Sequence, residues 1–200
     1  MNVINTITAA DITTVILAGG EGRRMGGIDK GLIELDGKPL IEHVIARLTP
    51  QTSNIVISAN RNIEHYQAYG YPVITDQIKK QGPLGGILSA LLQCKSDWLL
   101  TVPCDSPQLP LGLIQHIINS ANQTEARLFT AHDGHRSQPL FSIIHRDLTD
   151  SLQAYLSAKN QKAALWLAQQ GAVNVDFSNQ SNAFINLNTT DALAALQKRR

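Results

Sequence analysis

A glycine-rich segment with interleaved basic side chains follows a short apolar run near the N-terminus. The run, Val15-Ile16-Leu17, is typical of a buried strand, and the segment after it is Ala18-Gly19-Gly20-Glu21-Gly22-Arg23-Arg24-Met25-Gly26-Gly27-Ile28-Asp29-Lys30-Gly31. Glycines let the backbone turn tightly and bring N–H groups close to an anion, and the basic side chains supply positive charge. A strand that ends in such a loop predicts a site for nucleotide phosphates.

The segment differs from two common phosphate-binding motifs. A dinucleotide-binding G-x-G-x-x-G pattern that starts at Gly20 would need glycine at Met25. A P-loop would need Gly-Lys-Ser/Thr, whereas Lys30 is followed by Gly31. These differences argue against an NAD-binding protein with the usual fingerprint and against a P-loop NTPase. A solvated surface loop is the alternative, and the preceding strand with its interleaved cations favours phosphate binding over it.

Composition narrows the function classes. A length of 200 residues predicts one domain over residues 1–200, with 1–10 as a flexible extension before the first strand. The formal net charge of +1 argues against a nucleic-acid binder with a broad basic surface. Met1 to Ala10 has neither a basic start nor a long apolar run, so no signal peptide or membrane anchor is predicted. Cys94 and Cys104 form no C-x-x-C pair, which favours reduced thiols and a cytoplasmic location.

Apolar strands and helices alternate along the first half of the chain. This alternation predicts an α/β fold with three layers, a Rossmann-like, mostly parallel sheet covered by helices on both faces. The predicted strands are Thr13–Ala18, Ile55–Ile57, Val73–Ile74 and Trp98–Val102, and Leu32–Leu35 is predicted as a short extended piece that ends in a turn. The predicted helices begin near Pro39, Asn62 and Pro83, and the last of them has Leu84, Ile87, Leu88, Leu91 and Leu92 on its buried side.

The second half of the chain is less regular. Strands are predicted on both sides of the polar segment 132–139, at Ala126–Ala131 and Leu140–Ile144, and again at Val173–Phe177 and Ala183–Leu187. Helices are predicted at Leu148–Leu156 and Ala163–Leu167 and after Thr189-Thr190-Asp191. His132, Asp133 and His135 do not have the spacing of a structural zinc site, so a polar hairpin is favoured over a metal centre.

Two aspartates follow predicted strands. Asp105 ends an apolar strand, where a carboxylate is costly unless it is paired or binds a metal. Beside a phosphate site, Mg²⁺ is the expected partner, and a helix cap formed by Asp105-Ser106-Pro107 is the alternative. Asp76 has two open interpretations, a contact to the base or ribose and a cap of the next turn.

Several further residues are candidates for anion binding. Lys30 offers a compact charge and Arg24 a planar fork for phosphate oxygens, and simple exposure is the alternative for both. Gly82 and Gly86 bracket a predicted helix start, where free N–H groups can bind an anion, and turn or packing roles are the alternative.

The glycine-rich segment, with Asp29-Lys30, resembles the signature loop of nucleotidyltransferases with the nucleotide-diphospho-sugar transferase fold. Within that superfamily the chain is most similar to the molybdenum cofactor guanylyltransferases. The supporting segments span most of the chain: Leu35-Asp36-Gly37-Lys38-Pro39-Leu40, Gly82-Pro83-Leu84-Gly85-Gly86, Pro103-Cys104-Asp105-Ser106-Pro107 and Phe184-Ile185-Asn186-Leu187-Asn188-Thr189. The resemblance implies that GMP is transferred from GTP to molybdopterin, which carries the molybdenum, and that pyrophosphate is released.

The resemblance also assigns roles to residues. It implies that Mg²⁺ is bound by Asp105 and that Lys30, Arg24 and Asp105 support catalysis. The implied nucleotide-binding residues are Leu17, Ala18, Gly19, Gly20, Lys30, Asp76 and Asp105. The implied positions near the second substrate are Gly82, Gly86, Asn186 and Asn188. Proteins that deliver molybdopterin or accept the product are further expected partners, whereas nucleic acid and membranes are not.

This chain has Ser58 where the family often has asparagine, so one hydroxyl hydrogen bond replaces the paired contact that an amide can make to a base. The main alternatives are a related enzyme that uses another nucleotide or a sugar phosphate, and a non-catalytic nucleotide-binding regulator.

Overall fold

The computed structural model describes residues 6–20, 28–78 and 80–187, and its main element is a seven-stranded sheet. The strands are β1 Ile12–Leu17, β4 Ile55–Ser58, β5 Val73–Ile74, β6 Trp98–Pro103, β7 Leu128–His132, β8 Ser137–His145 and β9 Val173–Asp176, and their order in the sheet is β5-β4-β1-β6-β8-β7-β9. β2 Glu34–Leu35 and β3 Lys38–Pro39 form a separate hairpin. Among the described strands of the large sheet, β8 runs antiparallel to its neighbours β6 and β7 and the others share one direction.

Helices cover both faces of this sheet. They are α1 Leu40–Leu48, α2 Ile63–Gln67, α3 Pro83–Gln93, α4 Leu113–Ala121, α5 Thr149–Ser157 and α6 Ala163–Gln169. Side chains of α1, α2 and α4 join one core with Ile16, whereas α3, α5 and α6 join a second core with Val15. Successive residues of a strand point to opposite faces, so β1 contributes to both cores. The predicted three-layer α/β fold with a mostly parallel sheet is confirmed.

Three predictions of local structure were wrong or incomplete. Residues 183–187 form no strand, because a 3₁₀ segment runs over Ser178–Phe184 and the chain then passes Asp105. Leu92 is exposed rather than buried, since α3 turns that side outward. The helix α4 was not predicted, although buried residues recur through it at helical spacing, namely Leu113, Ile114, Ile117, Ile118 and Ala121.

The predicted flexible N-terminal extension is folded from Ile7 onward. Ile7 exchanges two hydrogen bonds with the Asn122 side chain, at 2.8 and 3.1 Å, and Ala9–Asp11 forms a 3₁₀ turn. A backbone that is bonded to the end of α4 belongs to the folded structure. The predicted C-terminal helix lies outside the described residues.

Candidate active site

The site predicted from the sequence lies where four parallel strands end at one edge of the sheet. In the order β5, β4, β1 and β6, these strands are direct neighbours. Backbone hydrogen bonds continue one residue past the strand ends. The Ala18 N–H donates to the Ser58 carbonyl at 2.8 Å, and the Cys104 N–H donates to the Leu17 carbonyl at 3.2 Å. Ligands of open α/β sheets bind at this kind of edge.

A lysine and an aspartate pair at the β6 end of this edge. The Lys30 ammonium donates to Oδ2 of Asp105 at 3.2 Å, with 27% of the lysine side chain and 9% of the aspartate side chain exposed. Oδ1 of Asp105 is also buried, and it has no hydrogen-bond partner among the described residues. A buried carboxylate oxygen without a partner is costly, so this atom is suited to binding a cation or a hydrogen-bond donor.

A second carboxylate follows β5 and is oriented by an amide. Asn60 donates from Nδ2 to Oδ2 of Asp76 at 2.8 Å and accepts the Asp76 backbone N–H at 2.9 Å. Burial raises the pKa of Asp76 above its usual value of 3.8, and the bond from Asn60 partly opposes that rise. Oδ1 of Asp76 is buried without a partner among the described residues. It is therefore a second acceptor that a bound N–H or O–H donor would satisfy.

Glycines make room around the Asp76 carboxylate. A Cβ atom on Gly86 would lie 2.5 Å from Ser58 Oγ and 3.5 Å from Asp76 Oδ1, and one on Gly85 would lie 3.1 Å from Asp76 Oδ2. On the β1 side, a Cβ atom on Gly19 would lie 2.9 Å from Asn60 Nδ2. The backbone just after β1 and that of α3 thus approach the polar groups more closely than side chains would permit.

The exit of the glycine-rich segment is held by a buried aspartate. Asp29 accepts hydrogen bonds from the Tyr66 hydroxyl at 2.6 Å and from Asn62 Nδ2 at 2.9 Å, and Arg61 Nε lies 3.6 Å away. Burial, followed by the bond to Asp29, raises the pKa of Tyr66. Because Asp29 precedes Lys30, this network fixes the backbone from which Lys30 reaches Asp105.

The chain near residue 186 returns to the Asp105 turn. Ser106 Oγ donates to Asn186 Oδ1 at 2.6 Å, and the Leu187 N–H donates to the Asp105 carbonyl at 2.9 Å. These bonds bring a residue predicted to lie near the second substrate to the same end of β6 as Asp105.

Three comparisons with known proteins bear on this geometry. Residues 14–173 match the family described as the MobA-like NTP transferase domain. A molybdenum cofactor guanylyltransferase of Shewanella putrefaciens is 47% identical over 181 residues, which cover 90% of this chain and 93% of the relative. One of Photobacterium profundum is 46% identical over 187 residues, or 93% of this chain and 95% of the relative.

This chain belongs to the molybdenum cofactor guanylyltransferase family. The resemblance seen in its motifs is thereby confirmed, and solved structures agree on the fold. The Archaeoglobus fulgidus molybdopterin-guanine dinucleotide biosynthesis protein A superposes with a TM-score of 0.79 at 21% identity, covering 94% of this chain and 97% of that one. A CMP:2-keto-3-deoxy-manno-octonic acid synthetase complexed with CTP superposes with a TM-score of 0.72 at 13% identity, covering 94% and 97%.

The structure brings all the predicted nucleotide-binding residues to this one edge. Leu17 is the last residue of β1 and Ala18 to Gly20 follow it, Asp76 follows β5, and Lys30 meets Asp105 after β6. Arg24 and Asn188 lie outside the described residues. The roles of all these residues stay predictions.

The two candidate glycines at the start of α3 differ in their surroundings. Gly86 lies against Ser58 and close to Asp76, on the side predicted for the nucleotide rather than the second substrate. Gly82 has φ of 61° and ψ of −157°, a conformation that favours glycine, and it directly precedes α3.

The helix-cap alternative for Asp105 is wrong, because the next helix begins only at Leu113. The polar hairpin is confirmed. Asp133 Oδ1 accepts the N–H groups of His135 and Arg136 at 2.8 Å each, and Oδ2 accepts Gln138 Nε2 at 2.6 Å. These bonds close the β7–β8 turn, so the Asp133 carboxylate has a structural role.

The loop after β4 was not among the predicted site segments. Asn60, Arg61 and Asn62 are consecutive polar residues beyond a buried strand, the same signal that singled out Asp76 and Asp105. The rule that ligands bind beyond the carboxyl ends of parallel strands applies equally to β4 and would have included them.

Proposed function

We propose that this protein transfers GMP from GTP to the terminal phosphate of molybdopterin and releases pyrophosphate, as its family membership implies. The observation that carries the assignment of the reacting centre is the Lys30–Asp105 pair, with one buried carboxylate oxygen of Asp105 lacking a partner among the described residues.

The spacing of the strands suggests how GTP lies along the edge. Asp76 follows β5 and Asp105 follows β6, three strand spacings apart, or about 14 Å for the usual spacing of about 4.8 Å. An extended nucleoside triphosphate spans a distance of this order. We place the nucleoside near Asp76, whose Oδ1 accepts an N–H or O–H donor, and the phosphates near Lys30 and Asp105.

The Asp105 carboxylate fits a magnesium ion. Mg²⁺ prefers oxygen ligands and is usually bound by one or two carboxylates together with phosphate oxygens and waters. Oδ1 of Asp105 offers such a ligand while Oδ2 accepts Lys30. When bound there, Mg²⁺ would neutralise negative charge that develops on the phosphates.

The remaining chemistry needs positioning and positive charge. The terminal phosphate of molybdopterin attacks the α-phosphorus of GTP in line, the bond to the β-phosphate oxygen breaks, and pyrophosphate leaves. Lys30 places a compact positive charge where negative charge develops on the phosphates, and its side chain remains partly exposed. Phosphoryl transfer of this kind requires no nucleophilic side chain. The neighbouring Cys104 is unsuited to such a role, since burial raises its pKa.

We place molybdopterin on the other side of Asp105, toward β8 and β7. Asn186 accepts a hydrogen bond from Ser106, Phe184 just before it packs against Phe141 of β8, and the β7–β8 turn lies at the same edge. Proteins that deliver molybdopterin or receive the product remain predicted partners. In the part of the chain that the structure describes, every helix is too short or too polar to cross a membrane. The cytoplasmic location stays a prediction for cell fractionation to test.

The reaction is tested with GTP labelled on either its α- or its γ-phosphate, in the presence of molybdopterin that carries molybdenum. We expect the α-label in the dinucleotide product and the γ-label in pyrophosphate, with GTP preferred over ATP, CTP and UTP. A preference for CTP or UTP would overturn the guanylyl assignment. Nucleotide binding without transfer would favour the regulator alternative.

A further inference from the structure

One arginine joins the two flanks of the glycine-rich loop. Nη2 of Arg61 donates to the Gly20 carbonyl at 2.9 Å and to the Ile28 carbonyl, also at 2.9 Å. Gly20 is the last described residue before the central part of the loop and Ile28 is the first after it. A single nitrogen therefore connects the entry of the loop to its exit.

The same guanidinium is oriented by Asp29. Nε of Arg61 lies 3.6 Å from Asp29 Oδ2, and the Asp29 side chain is 6% exposed, against 33% for Arg61. Asp29 is itself held by Asn62 and Tyr66, both from the segment that begins α2. Arg61 thus contacts a buried, well-connected carboxylate on one side and two loop carbonyls on the other.

Adjacent residues serve the two ends of the proposed nucleotide site. Asn60 orients Asp76, where we place the nucleoside, and Arg61 bridges the loop, where we place the phosphates. Charged hydrogen bonds to backbone carbonyls are stronger than neutral ones and fix the backbone direction. N–H groups of a loop bind an anion well only if the loop is already folded around that position.

We propose that Arg61 is a positioning residue for the triphosphate: by bonding to the Gly20 and Ile28 carbonyls, it fixes these two flanks of the glycine-rich loop relative to each other and keeps Lys30 beside Asp105. This inference rests on the proposed function, because it assumes that the loop binds phosphates. Its effect acts through the loop, and it does not require that Arg61 touch GTP.

The test compares Arg61→Ala with a matched control, Arg47→Ala. Arg47 also donates from its guanidinium to a backbone carbonyl, that of Leu109 at 3.0 Å, but at the far end of α1. We expect Arg61→Ala to raise KM for GTP by about 10- to 100-fold, the cost typical of losing a residue that orients a ligand-binding group. Inhibition by guanosine, which lacks phosphates, should be unchanged, and Arg47→Ala should leave both values unchanged.

Two further measurements separate positioning from a general loss of structure. Amide exchange in Arg61→Ala should accelerate at Gly20 and at Ile28 to Leu32 but not within β1. Arg61→Lys keeps the charge without the planar fork, and we expect it to recover only part of the lost GTP affinity. Added guanidinium ion, at concentrations well below those that unfold proteins, should partly restore the Arg61→Ala enzyme.

Equal losses for guanosine and GTP, an unchanged KM for GTP, or the same loss in Arg47→Ala would each overturn the positioning role. These outcomes are independent of the proposed function, which is tested on the wild-type protein alone by GMP transfer and by the preference among nucleotides.

Discussion

Replacing Gly31 with alanine tests the packing that supports Lys30. A Cβ atom at Gly31 would lie 2.5 Å from the Tyr66 hydroxyl oxygen, below the 3.0 Å that real Cβ contacts essentially always exceed. Tyr66 is fully buried and its hydroxyl donates to Asp29 at 2.6 Å, so the ring has little freedom to move aside. The new methyl group must displace either the tyrosine or the backbone that carries Lys30.

The expected cost has two parts. Over-packing a tight core site costs about 1–3 kcal/mol. Moving the hydroxyl away from Asp29 weakens a hydrogen bond to a charged group, which contributes about 1.5–3 kcal/mol. If Tyr66 moves aside, the over-packing cost falls but the hydrogen bond to Asp29 weakens, so the two costs do not add in full. We therefore expect Gly31→Ala to lower the free energy of unfolding by about 2–4 kcal/mol.

A double-mutant cycle isolates the contact. Tyr66→Phe removes the oxygen that the methyl group would meet and leaves ring atoms at 3.4 Å, an ordinary van der Waals distance. The two changes together should therefore cost about 1–2 kcal/mol less than the sum of the single changes. Urea unfolding, with equal m-values across the four proteins, measures each free energy. Strict additivity, or a Gly31→Ala cost below about 0.5 kcal/mol, which is usual for surface changes, would refute this account of the contact.

Three further predictions concern the ligand site. Asp105→Asn keeps the shape of the side chain but removes its charge, so kcat should fall by about 10²–10³-fold while guanosine binding persists; an unchanged kcat would exclude the proposed metal role. Gly86→Ala places a methyl group 2.5 Å from Ser58 Oγ, so it should weaken guanosine and GTP binding equally, and Ser58→Ala should restore part of the loss; a loss confined to GTP would contradict our placement of the nucleoside. Burial raises the pKa of Asp76 above 3.8, so between 3.8 and the native pKa the native protein keeps a proton that the unfolded chain has lost. The free energy of unfolding should therefore fall as the pH rises through this range, and Asp76→Asn should flatten that part of the profile measured by urea unfolding. Identical profiles for the two proteins would contradict the raised pKa.

The elements with local signals were predictable from the sequence. Continuous apolar runs such as Trp98–Val102 identify buried strands, and the order of strands and helices indicates a parallel sheet. The loops beyond β1, β5 and β6 could therefore be assigned to one edge from the sequence alone. The α4 helix has an equally clear local signal, because its apolar residues recur at helical spacing, and it was predictable on the same grounds.

Long-range contacts could not be predicted in the same way. The hairpin makes β8 antiparallel to β7, but the position of β8 between β6 and β7 depends on its pairing with β6, which lies far from β8 in sequence. The strand pattern at 183–187 was misleading, because that segment is fixed by single bonds to Asp105 and Ser106 rather than by a strand ladder. The hydrogen bonds from Arg61 to the Gly20 and Ile28 carbonyls likewise join residues far apart in sequence, and a local sequence pattern does not predict such a contact.

The most direct test of the account is a crystal structure with GTP and Mn²⁺ in place of Mg²⁺, with the metal located by its anomalous scattering. We predict one metal bonded to Oδ1 of Asp105 at about 2.0–2.2 Å, the triphosphate beside Lys30, and the guanosine beside Asp76. A metal bound away from Asp105, or a nucleotide that lies with its base at Lys30 and its phosphates at Asp76, would contradict the account.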